Sequence, residues 1–324
     1  MTIDSCALLR SLSAEKSVSG SELAKNLGVT RAAIWKQIEI LRGFGAPIEA
    51  NAGEGYRLAW PIEPLSESAI RHDIDAAVLS RVGDLRVAWQ IGSTNTSLLD
   101  AAANGADDIS VLVAETQTDG RGRRGRQWRS PLGGNVYFSL LRRFDGGMGS
   151  LAGLSIVAGI AVVHALRECG ISDLGLKWPN DILVDGKKLA GILVELGGEF
   201  LGPCFAVIGI GINVRLPADA DIDQPHVDLS TLCGGNPPSR NQIIGRLISR
   251  LIASTDAFAE KGFAAFEKEY ASFDVLAHAP VHLQTPSGVR EGVAEGVDSR
   301  GALRVRQGDC LTTYDSAEVT VRHT

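Results

Sequence analysis

The chain has 324 residues, 44% of them hydrophobic and 22% charged, with a formal net charge of −6. These are the proportions of a soluble globular protein of two or three domains. Five cysteines, an odd number without a C-x-x-C pair, argue against both a zinc site and a disulfide framework. The N-terminus lacks the apolar core of a signal peptide, and no run approaches about 18 apolar residues, so the expectation is a cytoplasmic protein with no membrane partner.

Residues 1 to 60 read as a separate unit. Ser19 and Glu22 form a capping box that opens a short helix carrying Leu23 and Leu27. Gly28 ends it, and Thr30 can cap a second helix that places Ile34, Ile38 and Leu41 on one face. Two short helices joined through a glycine turn are the helix-turn-helix arrangement. On the second helix Lys36 points away from the apolar face while Arg31 and Gln37 lie on its flanks, so Thr30, Arg31, Lys36 and Gln37 are the DNA-binding candidates. Residues 48–50, the turn Asn51-Ala52-Gly53-Glu54-Gly55 and residues 56–58 read as a hairpin, the wing of a winged helix. The competing reading is a docking module that never meets DNA. It draws on the near balance of acidic and basic side chains in this unit, because a strongly DNA-binding monomer carries a net basic face.

Trp60-Pro61-Ile62-Glu63-Pro64 is a stiff linker, since two prolines bar helix and restrict their neighbours. Beyond it strands and helices mix. Residues 85–90, 110–114, 135–141 and 205–214 read as strands, and 182–184 with 190–195 as a hairpin around Asp185-Gly186. A helical run follows Asn95 through Leu98 and Ala101, residues 151–169 form a long apolar helix, and 241–270 are helical with Ile244, Leu247, Leu251 and Phe258 in phase. This predicts a mixed α+β domain covered by helices. From Phe273 the pattern becomes short alternating strands at 281–283, 293–297, 303–306 and 319–321. They predict a small β-barrel, too small to be comfortable alone, that packs on the middle domain. His278 and His282 flank Pro280 without a third ligand, so no metal site is expected. The expected domains are 1–64, 65–272 and 273–324.

Chemistry concentrates in Gly120-Arg121-Gly122-Arg123-Arg124-Gly125-Arg126-Gln127-Trp128. Glycine lets the backbone wrap closely, and arginine presents permanently charged forks to phosphate and carboxylate oxygens. The stretch reads as a mobile loop that closes over an anionic ligand. A solvated basic loop or a nucleic-acid tail of the RGG kind is the plainer alternative. The glycines also spell G-x-G-x-x-G, but Pro131 and Gly133-Gly134 follow where a dinucleotide fingerprint requires a helix. Lys177, within Gly175-Leu176-Lys177-Trp178-Pro179-Asn180-Asp181, is either a fixed cation beside a reacting oxyanion or an exposed edge lysine. Ser93-Thr94-Asn95 offers hydroxyls and an amide for a polar head group, or caps a helix. Gln117 alone carries no reading. The glycines of Gly209-Ile210-Gly211-Ile212-Asn213 permit close approach of a ligand.

Taken in order, Ser-Thr-Asn at 93–95, Gln117, the glycine–arginine run at 120–126, Lys-Trp-Pro-Asn-Asp at 177–181 and Gly-Ile-Asn at 211–213 closely resemble bacterial biotin protein ligases of the bifunctional type. The resemblance runs nearly end to end. It implies an α+β fold with an N-terminal winged helix-turn-helix, a central mixed α/β domain of the biotin/lipoyl ligase type and a C-terminal SH3-like β-barrel. It implies biotin, ATP and Mg²⁺, with biotinyl-5′-AMP as intermediate and a lysine of a biotin carboxyl carrier protein as acceptor. It also implies operator DNA as a partner and a homodimer when the adenylate is bound. By resemblance Ser93, Thr94, Asn95, Gln117, Arg121, Gly122, Arg123 and Lys177 hold biotin, with Lys177, Arg121 and Arg123 catalytic. Gly120, Arg124, Gly125, Arg126, Trp128, Asn180, Asp181 and Asn213 are assigned to the adenylate and ATP. The rival expectations are a lipoate-type ligase on the same scaffold and a transcription factor that senses a small acid without turnover.

Overall fold

The computed structural model describes residues 4–51, 53–217, 222–285 and 288–315, and the backbone of 320–323. Three helices open the chain: α1 (Ser5–Arg10), α2 (Gly20–Leu27) and α3 (Arg31–Gly43). Ser19 caps α2 by accepting from the Glu22 amide, and Gly28 closes it at φ +64°. Thr30 caps α3 through the Ala33 amide at 3.2 Å. Strands β1 (Ile48–Asn51) and β2 (Gly55–Leu58) pair antiparallel as the wing; Ala52, in its turn, lies outside the described residues. Leu8, Leu23, Ile34, Ile38 and Leu41 are fully buried and give this unit its own core. Each such side chain contributes about 1.5–3 kcal/mol.

The linker is pinned rather than merely stiff. A buried Arg240–Glu115 pair at 2.8 Å stands behind it. Arg240 donates to the Glu63 carbonyl and Glu115 accepts from the Leu65 amide. Then follow α4 (Glu67–His72), α5 (Ala76–Leu79), β3 (Leu85–Ile91), α6 (Thr94–Ala103), β4 (Ser110–Gln117), β5 (Asn135–Phe144), α7 (Leu154–Glu168), β6 (Gly175–Lys177), β7 (Asp181–Val184), β8 (Lys187–Gly198) and β9 (Cys204–Asn213). Helices α8 (Leu229–Leu232), α9 (Arg240–Lys261) and α10 (Glu267–Phe273) complete the middle of the chain. Its seven strands form one sheet in the order β3-β4-β5-β9-β8-β7-β6, parallel between β3 and β4 and antiparallel elsewhere.

Three sequence expectations need correction here. The helix expected over 241–270 breaks at Gly262, whose φ of +66° no helix accommodates, and α10 resumes after a 3-10 turn. The helix expected from residue 151 starts at Leu154, behind a separate 3-10 turn at Met148–Leu151. The strand expected to stop at Ala114 continues to Gln117, because β3 pairs with it that far.

Alternation along the central strands divides the sheet. Val136, Phe138, Leu140, Ile208, Ile210 and Ile212 face α7 and α9 in the main core. The opposite face is covered at one end by α6, where Leu98 and Ala102 meet Leu141 and Val207. Its other end carries Ser139, Gly209, Gly211 and Gly191, a floor almost without side chains.

The last strands are β10 (Pro280–Thr285), β11 (Gly288–Val297), β12 (Leu303–Gln307), β13 (Cys310–Tyr314) and β14 (Thr320–His323). They form an antiparallel sheet in the order β13-β12-β11-β10-β14, the SH3-like unit. Strand β13 had no reading in the sequence, and Val319, part of one expected strand, lies outside the described residues. Val281, Leu283, Ala294, Val297, Leu303 and Val305 join the main core, so this sheet packs on the middle domain as its small size requires.

Candidate active site

The glycine floor and its two lids define the site. Register aligns Ser139 with Gly209, and Tyr137 with Gly211 and Gly191 across β5, β9 and β8. A Cβ at Gly209 would collide with the Asn95 side chain, and one at Gly211 with the Trp128 indole. The first turn of α6 and the arginine loop therefore both close down onto bare backbone, and glycine is what admits them.

At the α6 end a line of hydrogen bonds joins the residues expected around the head group. Ser93 caps the helix, accepting from the Thr96 amide at 3.4 Å, so the cap falls to Ser93 and leaves Thr94 and Asn95 to face the sheet. Gln117 Oε1 accepts from the Thr94 amide at 2.9 Å and lies 3.2 Å from the Thr94 hydroxyl oxygen. Ser139 Oγ lies 2.8 Å from Thr94 Oγ1 and 2.6 Å from Asn95 Oδ1. Asn95 Nδ2 donates to the Leu193 carbonyl and to Glu195 Oε2 at 2.9 Å. Arg121 Nη2 donates to both oxygens of Glu195, at 2.9 and 3.1 Å. Ser93, Thr94 and Asn95 are buried, and a buried polar cluster of this kind selects a ligand by hydrogen-bond pattern.

At the loop end the arginine stretch folds into a small hairpin. Residues Arg121 and Gln127 bridge, the Gly122 amide donates to the Arg126 carbonyl at 2.7 Å, and the Trp128 amide donates to Gly120. Between them Arg123–Gly125 make a 3-10 turn with Arg124 at φ +56° and Gly125 at φ +71°. Gly120 has no room for a Cβ against the Trp128 carbonyl and Ser130. No helix opens after this loop and β5 follows instead, in line with the sequence argument from Pro131 and Gly133-Gly134 against a dinucleotide fingerprint. Arg123 donates to Asn180 Oδ1 at 3.2 Å, and Asn180 in turn donates to the Ile192 carbonyl. Burial, then repulsion from Arg124, holds the Arg123 guanidinium below its ordinary value. A cation so placed is stabilised when an anion arrives. Arg124 and Arg126 are exposed.

Lys188, which the sequence reading did not select, completes this end. Its ammonium pairs with Asp181 at 2.7 Å with only 15% of the side chain exposed. It lies 5.5 Å from the Trp128 ring centroid, and a Cβ at Gly191 would touch its Nζ at 3.2 Å. Asn213 Nδ2 donates to the Lys188 and Val227 carbonyls, which fixes the backbone under it. Lys177 sits one strand pair away, at the end of edge strand β6, opposite Asp181 in register. The sequence signal for Lys188 was a lysine two residues past the Asp185-Gly186 turn, at the start of a strand. Its value shows only once β8 pairs with β7, which brings Asp181 beside it. Glu195 and Ser139 were missed for the same reason: single polar residues in apolar strands gain meaning from their neighbours across the sheet.

In the N-terminal unit Arg31 and Lys36 are exposed on α3, with Trp35 59% exposed between them. Gln37 is half-buried and donates to Ser5 Oγ of α1 at 2.9 Å. Among the described residues no group of three or more His, Cys, Asp or Glu could hold a metal ion, and no helix is long and apolar enough to cross a membrane.

Comparison with known proteins places these features. The family model described as the Biotin/lipoate A/B protein ligase family matches residues 87–213. An HTH domain matches 7–57 and the Biotin protein ligase C terminal domain matches 279–322. The bifunctional ligase/repressor BirA of Escherichia coli is 35% identical over 94% of this chain and 92% of its own length. The biotin--[acetyl-CoA-carboxylase] ligase of Mycobacterium tuberculosis is 35% identical over 79% of this chain and 95% of its own. The biotin protein ligase from Aquifex aeolicus, solved in complex with biotin and ATP, superimposes with a TM-score of 0.65 at 28% identity, covering 74% of this chain and 99% of that one. With its helix-turn-helix unit, its glycine-floored site and its C-terminal sheet each matched in order, the chain belongs to the biotin protein ligase family, among the bifunctional ligase/repressor proteins.

Proposed function

We propose that the protein activates biotin with ATP to biotinyl-5′-AMP and transfers the biotinyl group to a lysine of a biotin carboxyl carrier protein, as a biotin--[acetyl-CoA-carboxylase] ligase, and that its N-terminal unit binds operator DNA as a biotin-responsive repressor. The observation that carries the reading is a single continuous site with a neutral hydrogen-bonding end and a cationic end. The ligand it fits has a polar, uncharged head and an acidic tail.

In the first step a carboxylate oxygen of biotin attacks the α-phosphorus of ATP and pyrophosphate leaves. Both reactants are anionic, so the barrier falls as cations gather around them. Arg121 and Arg123 of the loop, Lys188 of β8 and Lys177 at the end of β6 would supply those cations. Mg²⁺ is expected to arrive on the phosphates of ATP. Such an ion needs one or two protein carboxylates beside substrate oxygens, and Asp181, which now pairs with Lys188, would be the carboxylate to offer it. In the second step the acceptor amine attacks the acyl carbon and AMP departs. The mixed anhydride hydrolyses in water, which is the reason for a loop that closes over it with Trp128 seated on Gly211. Gly120, Gly122 and Gly125 let that loop fold tightly, and Arg124 and Arg126 remain at its surface to meet phosphate. Thr30, Arg31, Lys36 and Gln37 mark the DNA face. Because that unit is nearly balanced in charge, two copies on one dimer, brought together by the adenylate, would supply the affinity that a single copy lacks.

The test is biotin-dependent exchange of pyrophosphate into ATP, with lipoate in parallel. Exchange is expected with biotin and not with lipoate. Lys188→Ala is expected to lose ~10²–10³ in single-turnover adenylate formation, the cost of one charge-stabilising donor, and Lys177→Ala less. The reverse order would move the role to Lys177, and an absence of biotin-dependent exchange by the parent would defeat the ligase reading.

A further inference from the structure

Glu195 is out of place by charge. It is a carboxylate, 27% exposed at its side chain, within a site whose ligands are a carboxylate and a triphosphate. A like charge there opposes both substrates, so its presence calls for a role that a neutral residue would not fill.

Its contacts supply one. Oε2 accepts from Asn95 Nδ2 at 2.9 Å, and both oxygens accept from Arg121 Nη2. Glu195 thus bridges the head-group line on α6 and the arginine loop, two elements that otherwise approach the glycine floor from opposite ends. Asn95 can offer its amide either way round. With Nδ2 committed to Glu195 and to the Leu193 carbonyl, Oδ1 must face Ser139 Oγ at 2.6 Å. That orientation propagates, because Ser139 then spends its one proton on Asn95 and can only accept from Thr94, whose single hydroxyl proton points to Ser139 Oγ at 2.8 Å rather than to Gln117 Oε1 at 3.2 Å. On the other side Arg121 uses Nη2 on Glu195, which leaves Nε and Nη1 as the donors that face an incoming acid.

We propose that Glu195 is a positioning residue that sets both ends of the site at once. It fixes the donor–acceptor polarity of Asn95, Ser139 and Thr94 toward the biotin head group, and it holds Arg121 of the loop over the place where the biotin carboxylate lies. The proposal rests on the ligase reading above. It places the control of biotin affinity, as distinct from ATP affinity, in a residue that touches neither substrate directly.

The experiment is biotin-dependent pyrophosphate exchange on the full-length protein with Glu195→Gln, Arg121→Gln and the double variant, with thermal melting of each. Glu195→Gln preserves volume and one acceptor while removing the charge. It is expected to raise the KM for biotin about tenfold, the loss of a charged hydrogen bond, with the KM for ATP within about twofold of the parent. Arg121→Gln added to Glu195→Gln is expected to cost far less than Arg121→Gln alone, since the two act as one unit. A biotin KM unchanged in Glu195→Gln, an equal rise in both KM values, strict additivity in the double variant, or a lowered melting temperature as the sole change would each overturn the proposal. A parent without biotin-dependent exchange would instead defeat the ligase reading itself, so the two failures are distinct.

Discussion

The two ends of the chain attach to the middle in opposite ways. The N-terminal unit keeps a core of its own and touches the rest through few residues, chiefly Leu132, with Ile62 and Trp89 packed against it. Among the described residues the C-terminal sheet has no separate core. Its inward side chains are part of the main one, the Trp178 indole donates to the Gly301 carbonyl at 3.0 Å, and the Val275 amide donates to the Leu176 carbonyl. A unit with its own core can move as a body, whereas one that shares a core cannot separate without unfolding its host.

Removing each end in turn gives the largest contrast. Deleting residues 279–324 removes Val281, Leu283, Ala294, Val297, Leu303 and Val305 from the main core. At about 1.5–3 kcal/mol each, that loss reaches the ~5–15 kcal/mol that stabilises a whole domain. Such a truncation is expected to be insoluble or to lack a cooperative melt. Deleting 1–64 is expected to leave a soluble protein that still exchanges pyrophosphate. If both truncations melt alike, the contrast is wrong.

A middle-sized effect is expected at Leu132, which lies just past the arginine loop. It is fully buried in the N-terminal core, its amide donates to the Phe44 carbonyl at the end of α3, and Pro131 packs on Gly45 at 3.1 Å from where a Cβ would stand. Leu132→Ala should cost about 2–5 kcal/mol in that contact. We expect the N-terminal unit to melt separately and ligand-dependent DNA retention in a gel shift to weaken. Parent-like retention would show that this contact does not carry the coupling.

The smallest effect is expected at Asp274, in the seam to the C-terminal sheet, where it bridges to Leu176. Burial raises its carboxyl above the ordinary value. A raised acid favours folding when protonated, so it lowers stability as pH rises from the ordinary carboxylate range through its folded value. Asp274→Asn can still accept from the Leu276 amide, which Asp274 does now at 2.9 Å. The variant should melt higher than the parent at neutral pH and no higher in acid. Equal gains at both pH values would point to a cause other than charge.

What could be read beforehand was what is local. Ser19 and Thr30 announce their helices because a cap acts within three residues. The arginine loop and the strands around it are legible from glycine spacing and alternation. Lys188 and Glu195 were not, because both stand in strand β8, and their partners come from three other places in the chain: Asp181 from β7, Asn95 from α6, and Arg121 and Trp128 from the arginine loop. Gly262 was passed over within an otherwise unbroken apolar period. The burial of Leu132 in the core of a different unit leaves no trace in its own neighbourhood, since Pro131-Leu132-Gly133 reads as an ordinary turn.

The bare floor of β9 also constrains how the protein can change over generations. At Gly209 and Gly211 even alanine would overlap Asn95 and Trp128, so neither position can vary first. A lineage drifting toward another acid must begin above the floor, by shrinking Asn95 or Trp128, and can fill the glycines only afterwards. The order of substitutions is therefore written into the backbone, and a descendant with a residue larger than glycine at 209 should already carry a smaller one at 95.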